Sequence, residues 1–459
     1  MACAANCRLP LPRTIEASVM QPLLPLSRAQ RAIVWACWLG GGLLRLIYVL
    51  VLHPPTLHVY SDMQGYVQRA LNRVAGGPEN IGDSLYPPGT SMLFAKLHQL
   101  DPTSGLTVIA QWLLSLGTMA GIWVIARALY GNRVAVLALV ATTLYLPLFH
   151  YAGLFLAENP FTFCLVAAYA CLIKAITASR PFGTAVWALA AGLLAGLAAS
   201  LKATILLPVA VTGIVVIIWL IRNRRRGALT LAAGVLIGMS SLLLPLAERC
   251  TRLAEEHFCL VSTNTGMNAL MGHAGEYAEF VWVDPVRNST YSFTSPSAPM
   301  RGYTAPVRLN FGAYDVPANV AELNKRIAAD PAAALRWSLR NVADLFVGRD
   351  FWPGAVYRQR NWSRAYQWLL QWLLLPLALA WLIYRAPRLI RLRDDSLAEW
   401  LLLTPLLGLM LTAFISLGEL RFRIPFDGFV IILAAQAVLA VFNREQRRVN
   451  RDSVPPALR

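Results

Sequence analysis

The chain is a succession of long apolar runs separated mostly by short polar links. Crossing about 30 Å of hydrocarbon at about 1.5 Å per residue takes roughly 20 residues. About ten runs come close to that length, near positions 32–52, 105–126, 134–152, 154–174, 183–201, 203–221, 228–247, 365–384, 397–417 and 424–442. The third and fourth abut closely enough to form a helical hairpin. About 30 residues precede the first run and no small-residue cleavage site follows it, so it is expected to stay as a span.

Two links are long, 53–104 and 248–364. In the first, Met63, Tyr66, Val67, Ala70, Leu71 and Val74 recur at helical spacing, while Gln64, Gln68, Arg69, Asn72 and Arg73 take the opposite face. This predicts an amphipathic helix along the membrane surface with Asp62 at its N-terminus. Tyr86-Pro87-Pro88-Gly89 then makes a rigid turn, and a second short helix from Ser91 to Leu100 returns the chain to the bilayer. In the second link, Ser262 through Gly272 reads as irregular, whereas Asn319–Asp330 and Pro331–Val347 carry helical periodicity, with Gly348 as a stop.

The pattern gives an all-α polytopic membrane protein of about ten transmembrane helices, amphipathic juxtamembrane helices in the first long loop and a mixed, partly helical second loop. Its parts are a basic tail at 1–31, a membrane domain at 32–247 containing loop 53–104, the large loop 248–364, C-terminal transmembrane helices at 365–442 and a basic tail at 443–459.

Composition agrees with this class. With 57% hydrophobic residues, 14% charged residues and a mean hydropathy of +0.51, a soluble globule is excluded. Basic residues gather beside the spans at Arg127/Arg133, Lys174/Arg180, Arg222 to Arg226 and Arg385 to Arg393, on the side that also holds both termini. That side reads as cytoplasmic, and both long loops face outward. The net charge of +17 is then a topology signal and a contact for anionic lipid, and its scatter over loop ends argues against nucleic acid.

Cys37, Cys164 and Cys171 lie within spans as small apolar residues. Cys250 and Cys259 fall on the outer side, where a disulfide is permitted; a straight helix over 251–258 would hold them about 13 Å apart, so both outcomes stay open. No cysteine or histidine spacing suggests a metal site or a cofactor.

The topology brings a few ionisable residues to the outer leaflet. Asp62 either caps its helix or acts as a base. Lys202, one of only four lysines, either snorkels or holds an anion. Arg421 and Arg423 are interfacial anchors or anion ligands. Glu158, inside an apolar run before Asn159-Pro160, is costly unless it is paired or lines a wet cavity. Arg45, mid-span, has no assigned role. A carboxylate and several cations at headgroup level suit a sugar carried on a polyprenyl phosphate. The base takes the acceptor's proton, and the cations, arginine above all, stabilise the leaving phosphate.

Ser61-Asp62-Met63-Gln64-Gly65-Tyr66, Tyr86-Pro87-Pro88-Gly89, Ala157-Glu158-Asn159, Leu201-Lys202, the Asn264-x-Gly266-x-Asn268 to Gly272 stretch, Asp330-Pro331 and Arg421-Phe422-Arg423-Ile424-Pro425 together resemble the glycosyltransferase C superfamily. The nearest branch holds the protein mannosyltransferase-like and aminoarabinose transferase-like enzymes. The resemblance implies that Asp62 is the catalytic base or its orienting partner and that Lys202, Arg421 and Arg423 hold the lipid phosphate. It also implies that Glu158, with Tyr66 and Tyr86, lines the substrate cavity. Relatives often carry two adjacent acids where this chain has Asp62-Met63, which favours a metal-independent site.

The expected activity is transfer of a sugar from a polyprenyl-phosphate donor to a lipid, glycan or protein acceptor at the outer face of a bacterial inner membrane, by inverting displacement. The rivals are a transporter or flippase for lipid-linked substrates, which would usually show paired halves or broken helices, and a non-catalytic assembly subunit.

Overall fold

A computed structural model describes residues 24–223, 227–255, 257–273, 279–294, 306–347 and 360–452. Among these, nine helices are long and apolar enough to cross a membrane, and a bent pair brings the number to ten. The predicted stop at Gly348 lies outside the described residues, as do the ends of both basic tails.

The first span, α1 (Arg28–Ile47), starts on a capping box between Ser27 and Gln30. It leads into loop 53–104, which forms α2 (Asp62–Val74) and α3 (Gly89–Leu100), as the periodicity predicts. Met63, Tyr66 and Ala70 of α2 are buried, which is the apolar stripe read from the sequence. Next come α4 (Gly105–Tyr130), α5 (Asn132–Leu144) and the short α6 (Leu146–His150).

The third run is therefore not one straight helix. It bends by 56° between α5 and the segment that follows, at Tyr145. Pro147 lacks the N–H that would otherwise reach the carbonyl of Thr143. Arg45 supplies donors instead, reaching the carbonyls of Thr142 (3.0 Å) and Thr143 (3.3 Å) and the Ser115 hydroxyl (3.1 Å). A mid-span arginine thus satisfies backbone freed by a broken helix, in a medium that offers no water to do so.

The remaining membrane helices are α7 (Glu158–Thr177), α8 (Pro181–Leu201), α9 (Leu206–Arg222), α10 (Ala228–Leu253), α14 (Arg360–Ile390), α15 (Leu397–Ile415) and α17 (Asp427–Asp452). The numbers α11 to α13 belong to the second loop and α16 to the turn before α17. Gly192/Gly196 of α8 face Gly234/Gly238 of α10, and a Cβ at Gly192 would lie 2.2 Å from the Val235 carbonyl oxygen. This close small-residue seam fixes the helix that ends at Lys202.

Between α10 and α14 the described residues form α11 (Asn264–His273), β1 (Glu279–Asp284), β2 (Ser289–Thr294), β3 (Pro306–Leu309), α12 (Val316–Ala329) and α13 (Pro331–Val347). β1 lies between β2, antiparallel, and β3, parallel. One expectation changes, and one open alternative is decided. The segment Ser262 to Gly272, read as irregular, contains α11, because its small residues let it pack closely among neighbours. The straight helix over 251–258 does not form: α10 ends at Leu253, Glu255 takes a left-handed φ of 55°, and the chain folds back. Cys250 and Cys259 then sit with Cα atoms 5.3 Å apart, joined as a disulfide.

A small core of Leu85, Met267, Leu270, Phe280, Trp282, Leu309 and Leu417 joins the two long loops to the segment before the last span. The loops therefore form one cap over one end of the bundle.

Candidate active site beneath the cap

Under this cap lies a cavity of about 1160 Å³. Asp62, Arg69, Asp83 and Tyr86 come to it from the first loop, Tyr291 and Tyr314 from the second, and Arg421 from the turn before the last span.

Ser61 precedes α2 with a left-handed φ of 52°, a strained conformation for a non-glycine residue, and sends the chain into the helix at Asp62. The Asp62 carboxylate accepts a hydrogen bond from the Tyr86 hydroxyl (3.3 Å) and an ion pair from Arg421 Nη1 (3.2 Å). It is partly open, at 19% side-chain exposure. Burial and the nearby Asp62 charge push the Tyr86 phenol well above its ordinary range, so it stays protonated and donates. Tyr66 is buried behind this pair with its ring 5.6 Å from that of Tyr86, and burial raises its phenol in the same sense.

Glu158 and Lys202 meet at 2.7 Å beside this pair, with Glu158 only 3% exposed. Lys202 owes its position to the end of α8, where it caps the helix in an extended conformation. Its ammonium lies 5.0 Å from the Phe422 ring centroid, and the Arg421 guanidinium lies 5.0 Å from the same ring. Phe422 thus links two cations, each already engaged by a carboxylate. Arg421 is held by Glu419 (2.8 Å) as well as by Asp62.

Arg423 does not join them. Two residues further along α16 (Leu420–Arg423), it turns into the core and pairs with Asp427 at 3.1 Å, both side chains 2% exposed, while Tyr145 donates to that same carboxylate. The sequence grouped it with Arg421 because both flank Phe422, but positions two apart on a helix point to different sides. Lys202 and Glu158 lie next to the cavity, and Tyr66 behind its wall, rather than among the lining residues.

The second loop sets where Arg421 stands. Asn341 Nδ2 of α13 donates to the carbonyls of Gly272 (2.9 Å) and Ser416 (2.8 Å). A Cβ at Gly272 would lie 2.2 Å from the Ser416 carbonyl oxygen, and one at Gly418 would lie 1.8 Å from that of Asn341. The glycine-bearing motif noted in the sequence therefore docks α11 against the chain that carries Arg421. On the other side, Arg249 holds Glu79 (2.9 Å) and Arg73 holds it too (2.5 Å), tying the end of α10 to the first loop.

Arg69, Asp83, Tyr291 and Tyr314 were not singled out from the sequence. Arg69 was legible in principle, since it lies seven residues after Asp62 on the same helical face. The two tyrosines arrive through sheet and loop contacts that no local pattern announces.

Residues 87–245 match the family described as dolichyl-phosphate-mannose-protein mannosyltransferase. That match covers 159 of the chain's 459 residues. The fold aligns with that of archaeal oligosaccharyltransferase AglB from Archaeoglobus fulgidus, solved with an inhibitory peptide and a dolichol-phosphate. The TM-score is 0.53 at 13% identity, over 93% of this chain and 52% of that one. The apo form of the Archaeoglobus fulgidus oligosaccharyltransferase gives 0.51 at 13% identity, over 91% and 52%. ArnT from Cupriavidus metallidurans bound to undecaprenyl phosphate superposes more loosely, at 0.39 and 13% identity over 90% of this chain and 78% of that one. The likeness to the oligosaccharyltransferases is one of fold, and the chain spans about half their length. Among curated protein sequences, none matches.

Proposed function

We propose that the protein is a membrane glycosyltransferase that moves a sugar from a polyprenyl-phosphate donor to an acceptor at the outer face of a bacterial inner membrane. The observation that carries this reading is a carboxylate, Asp62, held by Arg421 and Tyr86 at the wall of a cavity large enough for a sugar and its acceptor.

In this reading an acceptor hydroxyl enters the cavity and attacks the anomeric carbon. Its oxygen forms the new C–O bond as its proton passes to Asp62, and the bond from the anomeric carbon to the phosphate oxygen breaks. The electron pair leaves with the phosphate, inverting the configuration. Arg421, Arg423 and Lys202 were expected to receive that charge. Arg421 and Lys202 stand beside the cavity, whereas Arg423 is committed to Asp427 and drops out of the assignment. Glu158 keeps Lys202 in place and Tyr86 keeps Asp62 in place. Met63 is buried where relatives often carry a second acid, so the partner of Asp62 is an arginine, which favours metal-independent displacement.

The outward placement is supported by the Cys250–Cys259 disulfide at this end of the bundle, since such bonds persist in oxidising compartments. The test is transfer by purified protein reconstituted with a polyprenyl-phosphate sugar. Full activity in Asp62→Asn would reject the base assignment. Movement of lipid-linked sugar across vesicles without any transfer would favour a transporter instead. Mass analysis of envelope glycolipids and glycans from a deletion strain would identify the sugar and the acceptor.

A further inference from the structure

The cavity holds a second cation, and its surroundings differ from those of Arg421. Arg69 lines the cavity two helical turns beyond Asp62. Its guanidinium lies over two tyrosine rings, 4.8 Å from the centroid of Tyr86 and 5.5 Å from that of Tyr66. Nη2 is buried and has no hydrogen-bond acceptor among the described residues. Every acid that could balance it nearby is engaged elsewhere: Asp62 by Arg421 and Tyr86, Glu79 by Arg73 and Arg249, and Asp83 by the Asn80 backbone N–H. Gly65, one turn before Arg69, makes room for this posture, because a Cβ there would come within 3.2 Å of Nη2.

A buried, unmet N–H on a cation is costly, and a planar guanidinium fixed over aromatic rings presents its donors as a fork. The ligand chemistry that meets such a fork is an oxyanion with two oxygens, above all a phosphate. We infer that Arg69 is the open oxyanion subsite of the cavity and that it binds the phosphate of the lipid-linked substrate. Lys202 and Arg421 enter the unliganded site already neutralised, whereas Nη2 of Arg69 has no acceptor among the described residues. Tyr66 and Tyr86 act as its platform, which gives Tyr86 two tasks, toward Asp62 and toward the phosphate. The identification of the phosphate as lipid-borne rests on the proposed glycosyltransferase reading; the oxyanion site does not.

The test is binding rather than turnover. Undecaprenyl phosphate and inorganic phosphate are titrated separately into full-length protein in detergent, with wild type, Arg69→Met, Arg69→Lys and Gly65→Ala compared. Arg69→Met keeps an unbranched apolar side chain over the tyrosines but no donors. It is expected to weaken undecaprenyl phosphate at least tenfold without lowering the thermal midpoint of the unliganded protein. Arg69→Lys, which retains the charge without the fork, should fall between, and Gly65→Ala should weaken binding by displacing the guanidinium. If inorganic phosphate binds in an Arg69-dependent way and the lipid does not, the subsite stands and the lipid-linked donor falls. If Arg69→Met leaves the affinity for both probes unchanged, the subsite is overturned. A thermal midpoint that collapses in Arg69→Met while Arg69→Lys binds both probes like wild type would also overturn it, by showing a structural role alone.

Discussion

Arg421 and Arg423 stand two residues apart, and each pairs with an aspartate at nearly the same distance, 3.2 Å and 3.1 Å. The Asp62 pair keeps 13–19% of its side-chain surface open beside a cavity; the Asp427 pair keeps 2% and is sealed among the helices. The same two functional groups therefore serve different ends. In the sealed pair each charge exists to compensate the other, and removing one strands its partner in an apolar surround. In the open pair the carboxylate can exchange its partner for water or a ligand, which is the access the proposed base role needs. Access, rather than residue type or geometry, separates scaffold from site.

The contrast is most sharply broken at the sealed pair. Arg423→Ala or Asp427→Asn should cost about 3–5 kcal/mol and leave little folded protein, read by thermal unfolding in detergent and by the yield of monodisperse material. If either variant folds normally, the distinction fails. Asp62→Asn, at the open pair, should fold with an unchanged thermal midpoint while transfer drops about 10²–10⁴-fold, measured with donor and acceptor saturating.

Asn341→Leu tests whether the second loop sets Arg421. It leaves the carbonyls of Gly272 and Ser416 without their donor, at about 1–3 kcal/mol for buried groups, and should reduce transfer while leaving the sealed pair intact. The smallest effect is expected at Glu79. Burial alone would raise its carboxyl, but Arg249 and Arg73 hold it below the ordinary value. A depressed folded value contributes stability above the unfolded value of about 4.3, and that contribution is lost as pH falls through the lower folded one. Glu79→Gln should lower the thermal midpoint at pH 7 by an amount equivalent to about 1 kcal/mol or less, and the gap from wild type should close under acid.

Much of the fold was legible because membranes enforce a simple rule: about 20 apolar residues per crossing. The amphipathic face of α2 was equally plain, since Met63, Tyr66 and Ala70 repeat at helical spacing. Arg45 was opaque because its reason is a proline 102 positions later, at Pro147. Helix α11 was misread because its glycines and amides are poor helix formers alone, and only packing against Ser416 and Asn319 repays them. The candidate residues were legible as chemistry but not as neighbours. Nothing local distinguishes Arg421 from Arg423 until the turn of α16 sends one to the cavity and the other to Asp427.

The docking of Gly272 against Ser416, and of Gly418 against Asn341, leaves no slack between the cap and the chain leading to Arg421. Any ligand that wedges the two long loops apart must drag that guanidinium with it. The width of the entrance and the electrical surroundings of Asp62 are consequently one mechanical variable. A ligand too bulky for the mouth would be refused twice, first by shape and then by the separation of Asp62 from Arg421.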